Sequence, residues 1–231
     1  PVFPHLPMSW GQGGELVDDH GQPVFGLPPH REKLVNVMAF LRDTVRTGAS
    51  PRSVLGHTDY QQLTDAATAG DVAMFLGGIW QVPDLKNRLS PEDFAKWDGA
   101  PIPQKDASMR STGTGGWVWV VFARDPVRRK AAAEFIQFVE SRANVPRINM
   151  ANGQLPVRSS AYRDFAFFRD DPWYRKFGEM VAYGKARPTV ALYPSISEQL
   201  QLAVGYAVSG DKTPEQAVGD SWRALQQVAR S

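Results

Sequence analysis

The 231-residue sequence contains no cysteine. That excludes a disulfide framework, a thiolate metal site and a cysteine nucleophile. Histidine is scarce: His5, His20, His30 and His57 are the only four, and no two stand at a zinc-ligand spacing such as H-E-x-x-H. A G-x-S-x-G nucleophile elbow and a lysine-bearing phosphate loop are both missing. Excess charge is small. With 26 Lys+Arg against 24 Asp+Glu the balance is +2, too little to point to nucleic acid as a partner. The longest purely apolar run, Trp117–Ala123, is far short of the ~20 residues a membrane-spanning helix needs. The chain opens Pro-Val-Phe-Pro-His, with neither the basic nor the apolar stretch of an export signal. It therefore reads as a processed chain or as a piece of something longer.

What is present is an ordinary globular composition, 42% hydrophobic and 22% charged, enough to bury a sizeable core. The first thirty residues, rich in Pro and Gly, read as a loop and a short hairpin, with Asp18-Asp19-His20-Gly21 as its turn. Leu34, Met38, Leu41 and Val45 recur at helical spacing, and Gly48 stands where a C-terminal cap belongs. Thr58 with Gln61 fits a capping box. Val72–Leu76 reads as a buried strand and Val82–Leu89 as a short helix. Trp117–Ala123, apolar on both faces, reads as the strongest strand, covered by helices on both sides. Asp125-Pro126 and Asp171-Pro172 each open a helix. Ser195 with Glu198 and Thr213 with Gln216 read as further capping boxes. Strands alternating with helices predict an α/β architecture.

Signs of catalysis are sparse. Ser111–Gly116 looks like a phosphate loop, but it precedes a strand, whereas a dinucleotide loop follows one and opens a helix. Asp18-Asp19 and Glu92-Asp93 are carboxylate pairs, but they sit in a turn and in a first helical turn, where acidic residues are favoured anyway. The stronger signal is aromatic: Phe, Trp and Tyr make up 11% of the chain. Trp80 follows Gly77-Gly78-Ile79, and Trp117 follows Gly115-Gly116. Phe3 and Trp10 lie in the opening segment, and Tyr193 lies in a proline-bounded loop. Glycine before an aromatic at a strand end suggests close backbone approach, and strand ends are where α/β sheets bind ligands. An aromatic face stacks well on the C–H face of a sugar ring. Packing between elements is the competing use of such rings.

The order of the motifs resembles that of the family 1 extracellular solute-binding proteins, the maltose-binding-protein-like receptors of ABC importers. Gly70-Asp71-Val72-Ala73-Met74 through Gly78-Ile79-Trp80 resembles the family's "G-x-x-A-M-x-x-x-G-x-W" stretch. Gly13-Gly14 with Gly21 is similar to its Gly-Gly hairpin. Pro101-Ile102-Pro103, Gly115-Gly116-Trp117, the Lys130–Phe138 helix, Gly153-Gln154-Leu155-Pro156-Val157-Arg158 and Thr213–Ala217 follow in the family's order.

The resemblance implies a type II periplasmic-binding-protein-like fold. It makes this chain mainly the C-terminal lobe, with residues 1–113 as the first part of that lobe and 153–231 as its helical second part. Residues 114–152 would be a crossover segment belonging to the N-terminal lobe. It implies a non-enzymatic, cofactor-free receptor that holds a mono- or oligosaccharide between two lobes and delivers it to membrane permease subunits. Alternatives are a carbohydrate-active enzyme and a receptor for a non-sugar solute such as a polyol phosphate. Trp80 matches the family's stacking ring. Phe3 and Tyr193 fall near further contacts, and Gly116 and Trp117 at a hinge where they can contribute backbone amides; Trp10, an aromatic of the opening segment, and Gly78, the glycine before Trp80, are the remaining candidates. Arg158 is at another hinge; buried, it would bind hydroxyls or a phosphate, and a surface ion pair is the competing use. The implied location is periplasmic or extracellular and membrane-anchored, with the signal or anchor upstream. The intact receptor would be a monomer that binds no nucleic acid. The fragment alone would expose apolar strand faces and tend to associate.

Overall fold

The structure, a computed structural model, describes residues 2–57 and 59–229, with side chains from residue 4 onward. The first half of the chain carries α1 (Val2–Trp10), α2 (His30–Arg46), α3 (Tyr60–Ala69), α4 (Val82–Arg88), α5 (Pro91–Phe94) and the short strand β1 (Thr112–Thr114). Then come α6 (Pro126–Val139), α7 (Asn144–Asn152), α8 (Ser159–Asp164), α9 (Ala166–Asp170) and α10 (Pro172–Met180). The chain closes with β2 (Gly184–Ala186), α11 (Tyr193–Ser209) and α12 (Pro214–Val228). Single 3₁₀ turns lie at Arg52–Gly56, Ile79–Gln81 and Val181–Tyr183.

Helix boundaries follow local chemistry. Asp125 accepts a hydrogen bond from the Arg128 amide, and Asp171 accepts from Trp173 and Tyr174; each is followed by proline in the first turn. Proline suits that turn because its missing N–H has no intrahelical acceptor to serve. Thr213 and Gln216 form the expected reciprocal box, at 3.2 and 3.0 Å. Gly70, Gly153 and Gly210 end helices in the left-handed conformation, which costs a Cβ-bearing residue more.

Several expectations are corrected. The N-cap of α3 is Asp59, whose side chain accepts from the Gln62 amide at 2.9 Å; the expected cap, Thr58, lies outside the described residues. Helix α11 begins at Tyr193 with Pro194 in its first turn, which puts Ser195 inside the helix. The opening segment is helical: Pro4 falls in the first turn of α1, and burial of Leu6, Met8 and Trp10 outweighs the break that Pro7 invites. The largest correction concerns strands. Val72–Leu76 and Trp117–Ala123 both run as irregular chain outside any sheet, the first with a bend at Ala73. Met74 is 88% exposed, Trp117 93% and Phe122 87%. A strand is stabilised by ladder partners, and among the described residues neither segment has one.

The chain divides into two compact units. Unit 1 comprises Pro1–Leu76, Pro101–Thr114 and Tyr183–Ser231. Its core joins α1, α2, α11 and α12 through Leu6, Trp10, Leu34, Met38, Ile196, Leu200, Val218 and Leu225. Alanines 203, 207 and 217 are buried in the same cluster, and their small side chains let α11 and α12 approach closely. The hairpin near residue 20 forms as expected: Asp18 Oδ1 accepts from the His20 and Gln22 amides, and Val17 bridges Pro23. It delivers Phe25 into the core, edge-on to Trp222 at 5.2 Å. The parallel pair of β1 and β2, with Thr112 opposite Gly184, completes the unit.

Unit 2 comprises Gly77–Ala100 and Gly115–Ala182. Ile79, Val82, Ala161, Phe168 and Tyr174 form its core. Phe167, Phe168 and Tyr174 meet at centroid distances between 4.7 and 5.3 Å. Helix α6 buries no residue, and its Phe135 and Phe138 stand exposed.

Candidate functional site

Unit 2 places Trp80 on the 3₁₀ turn that leads into α4. Ile79 and Val82, on either side of the Trp80–Gln81 pair, are buried and anchor the turn. The Gln81 amide donates to the Gly78 carbonyl at 3.0 Å, and the Gln81 side-chain oxygen accepts from the Gly78 amide at 3.2 Å. The indole of Trp80 lies over Gly78: a Cβ there would stand 2.1 Å from the six-membered ring. On the far side, a Cβ on Gly153 would come 2.6 Å from Pro83 Cγ and 3.4 Å from Trp80 Cα. Trp80 itself is half-buried.

The remaining candidates fall into separate groups. Gly116 and Trp117 lie on the exposed irregular segment of unit 2. Two residues on, Trp119 turns back to α6, donating from its indole N–H to Glu140 at 2.8 Å and meeting Phe135 edge-on. Arg158 is exposed and donates to the Glu140 carbonyl at 3.1 Å, the place beyond a helix C-terminus where a cation is favoured. In unit 1, Trp10 is buried and Tyr193 packs against the same core. A cation approaches each ring: Lys185 stands 5.5 Å from the Trp10 centroid and Arg187 5.9 Å from that of Tyr193. The side chain of Phe3 lies outside the described residues. The structure thus joins Trp80 with Gly78, and places Trp10 and Tyr193 at the same hydrophobic core.

The acidic pairs carry local structure. Asp18 holds the hairpin turn. Asp93 pairs with Lys96 at 2.7 Å, and this contact, with Ser90 beside it, holds its carboxyl below the usual range. His30 accepts from the Glu15 amide at 3.0 Å. Among the described residues no group of three or more His, Cys, Asp or Glu is placed to hold a metal ion, and no helix is long and apolar enough to cross a membrane. An open cleft in unit 1 is lined by Gly11, Gln12, Gly13, Lys33, Lys105, Asp106 and Met109, a set containing none of the expected site residues. Reading the sequence missed Gln81, Gly153, Lys185 and Arg187. The first two had a signal, since Gly153 follows a helix and Gln81 stands three residues after Gly78.

Solved structures share this fold. The GacH receptor of Streptomyces glaucescens, known unliganded and with acarbose, is 25% identical with a TM-score of 0.79; the match covers 96% of this chain and 56% of that one. Maltose-bound MalE3 of T. maritima is 23% identical at a TM-score of 0.84, covering 98% and 57%. A solute-binding protein of Thermotoga lettingae bound with α-D-tagatose is 21% identical at 0.80, covering 98% and 56%. The fold is therefore that of the type II periplasmic binding proteins, here in a helix-rich part with a small sheet. The chain spans about 56% of the length of these solved chains. A family model described as "bacterial extracellular solute-binding protein" matches residues 4–176, and the chain belongs to that family.

Proposed function

We propose that this chain is the larger part of a solute receptor that binds a carbohydrate and hands it to the membrane permease of an ABC importer. The observation that carries the reading is Trp80: an indole half-buried on a backbone-locked turn, in a chain of the extracellular solute-binding family. Such a ring offers its apolar face to sugar C–H groups while nearby polar groups take hydroxyls. The neighbours' ligands, maltose, acarbose and α-D-tagatose, favour a sugar over a polyol phosphate. Gly78, Gly116, Trp117, Phe3, Trp10, Tyr193 and Arg158 are the further contact positions of this proposal. It takes the intact receptor as a periplasmic or extracellular monomer without catalytic activity.

In this reading residues 114–152 cross into the first lobe, while 1–113 and 153–231 build the second. The bare apolar side chains of Trp117, Val118, Val120 and Phe122 support that assignment, because they have the composition of a central strand. Calorimetric titration of a sugar panel into the protein tests the function. Saturable binding of a sugar, lost in Trp80→Ala with melting unchanged, is the expected result. Binding unaffected by Trp80→Ala removes the ring from the site, and a panel without a binder overturns the carbohydrate reading.

A further inference from the structure

We propose that Gln81 and Gly153 are positioning residues that fix the pose of the Trp80 indole, and that this pose sets carbohydrate affinity. The inference rests on the reading of Trp80 as the stacking ring. Gln81 is a polar side chain at 3% exposure, so it is held in place by packing. Its two hydrogen bonds to Gly78 close the turn from both ends. The closed turn brings the Gly78 backbone under the six-membered ring, where any larger residue would displace it. Behind the turn, Gly153 adopts φ of +64° and packs against Pro83 and the Trp80 backbone with no room for a methyl group. An alanine there is strained twice, by its backbone conformation and by contact. The ring is thus gripped through its neighbours. Aromatic stacking depends on ring orientation, and a ring ordered before the ligand arrives spares the cost of ordering it on binding.

The test uses the full chain labelled with 5-fluorotryptophan, which gives seven tryptophan fluorine signals. The Trp80 signal is assigned by its loss in Trp80→Phe. Gln81→Met keeps the length of the side chain and removes the acceptor. The expected result is a shifted and broadened Trp80 signal, the other six unmoved, and affinity for the best sugar of the panel weakened roughly five- to ten-fold, the cost of re-ordering one side chain. Gly153→Ala should move the same signal. Were Gln81→Met to unfold, Gly78→Ala, which displaces the ring directly, reads the pose instead. A Trp80 signal unmoved in both Gln81→Met and Gly153→Ala overturns the positioning role. If Trp80→Ala abolishes binding while Gln81→Met binds like the wild type, the inference fails and the receptor reading stands. If Trp80→Ala binds normally, the stacking role itself falls.

Discussion

Phe25→Ala tests the packing logic of unit 1. Phe25 is fully buried and meets Trp222 edge-on at 5.2 Å and 83°. Its neighbour Gly26 gives Trp222 its seat, since a Cβ there would come 2.1 Å from the indole. Truncating a buried Phe costs about 3–5 kcal/mol through lost transfer energy and the cavity left behind. Within that figure, the aromatic pairing contributes about 0.5–1.5 kcal/mol. At about 2–4 °C per kcal/mol for a domain of this size, melting should fall by roughly 10 °C. Denaturant unfolding followed by circular dichroism measures the whole effect. A double-mutant cycle of Phe25→Leu with Trp222→Leu isolates the pair. A loss under about 1 kcal/mol, or a cycle with no coupling, would refute the claim that the hairpin is pinned to α12 through these rings.

Thr213→Ala removes a reciprocal cap and should cost about 1 kcal/mol, with faster hydrogen exchange at the Gln216 amide. Tyr174 Oη is buried without a hydrogen-bond partner, and burial pushes its phenol up to about 12; Tyr174→Phe should therefore leave the denaturation midpoint unchanged or raise it, and a clear drop would contradict the assignment. The Nδ1 of His5 is likewise buried without a partner, beside Leu6, Leu34, Met38 and Leu200, and burial pulls its pKa down to about 4. Between pH 6.5 and about 4 the unfolded chain then binds more protons than the folded one, so stability falls as pH falls through that window. At ~1.36 kcal/mol per pH unit the loss is at most about 3 kcal/mol, and His5→Gln should flatten the pH profile of the urea midpoint.

What the sequence revealed divides along a physical line. Helix ends are local: Asp125, Asp171 and Thr213 cap within three residues of themselves, and their geometry matches the pattern read from the chain. So is the periodicity that buries Leu34, Met38 and Val45. Strands are not local. Trp117–Ala123 has the composition of a central strand, but a ladder needs a neighbour that composition cannot supply, and the described chain leaves Val118 and Phe122 bare. The opening helix was hidden for the opposite reason, since Pro4 and Pro7 masked an apolar face that tertiary packing claims. In the candidate site, Trp80 and Gly78 were legible as glycine followed by an aromatic. The roles proposed for Gln81 and Gly153 depend on side-chain direction and on a left-handed backbone, which their spacing signals but does not fix.

The receptor reading is tested most directly by hydrogen exchange of the whole chain with and without a saturating sugar. It predicts new protection centred on Gly78–Val82, absent in Trp80→Ala. Protection confined to another region, such as the Gly11–Gly13 and Lys33 cleft, or no protection at any sugar concentration, would contradict it.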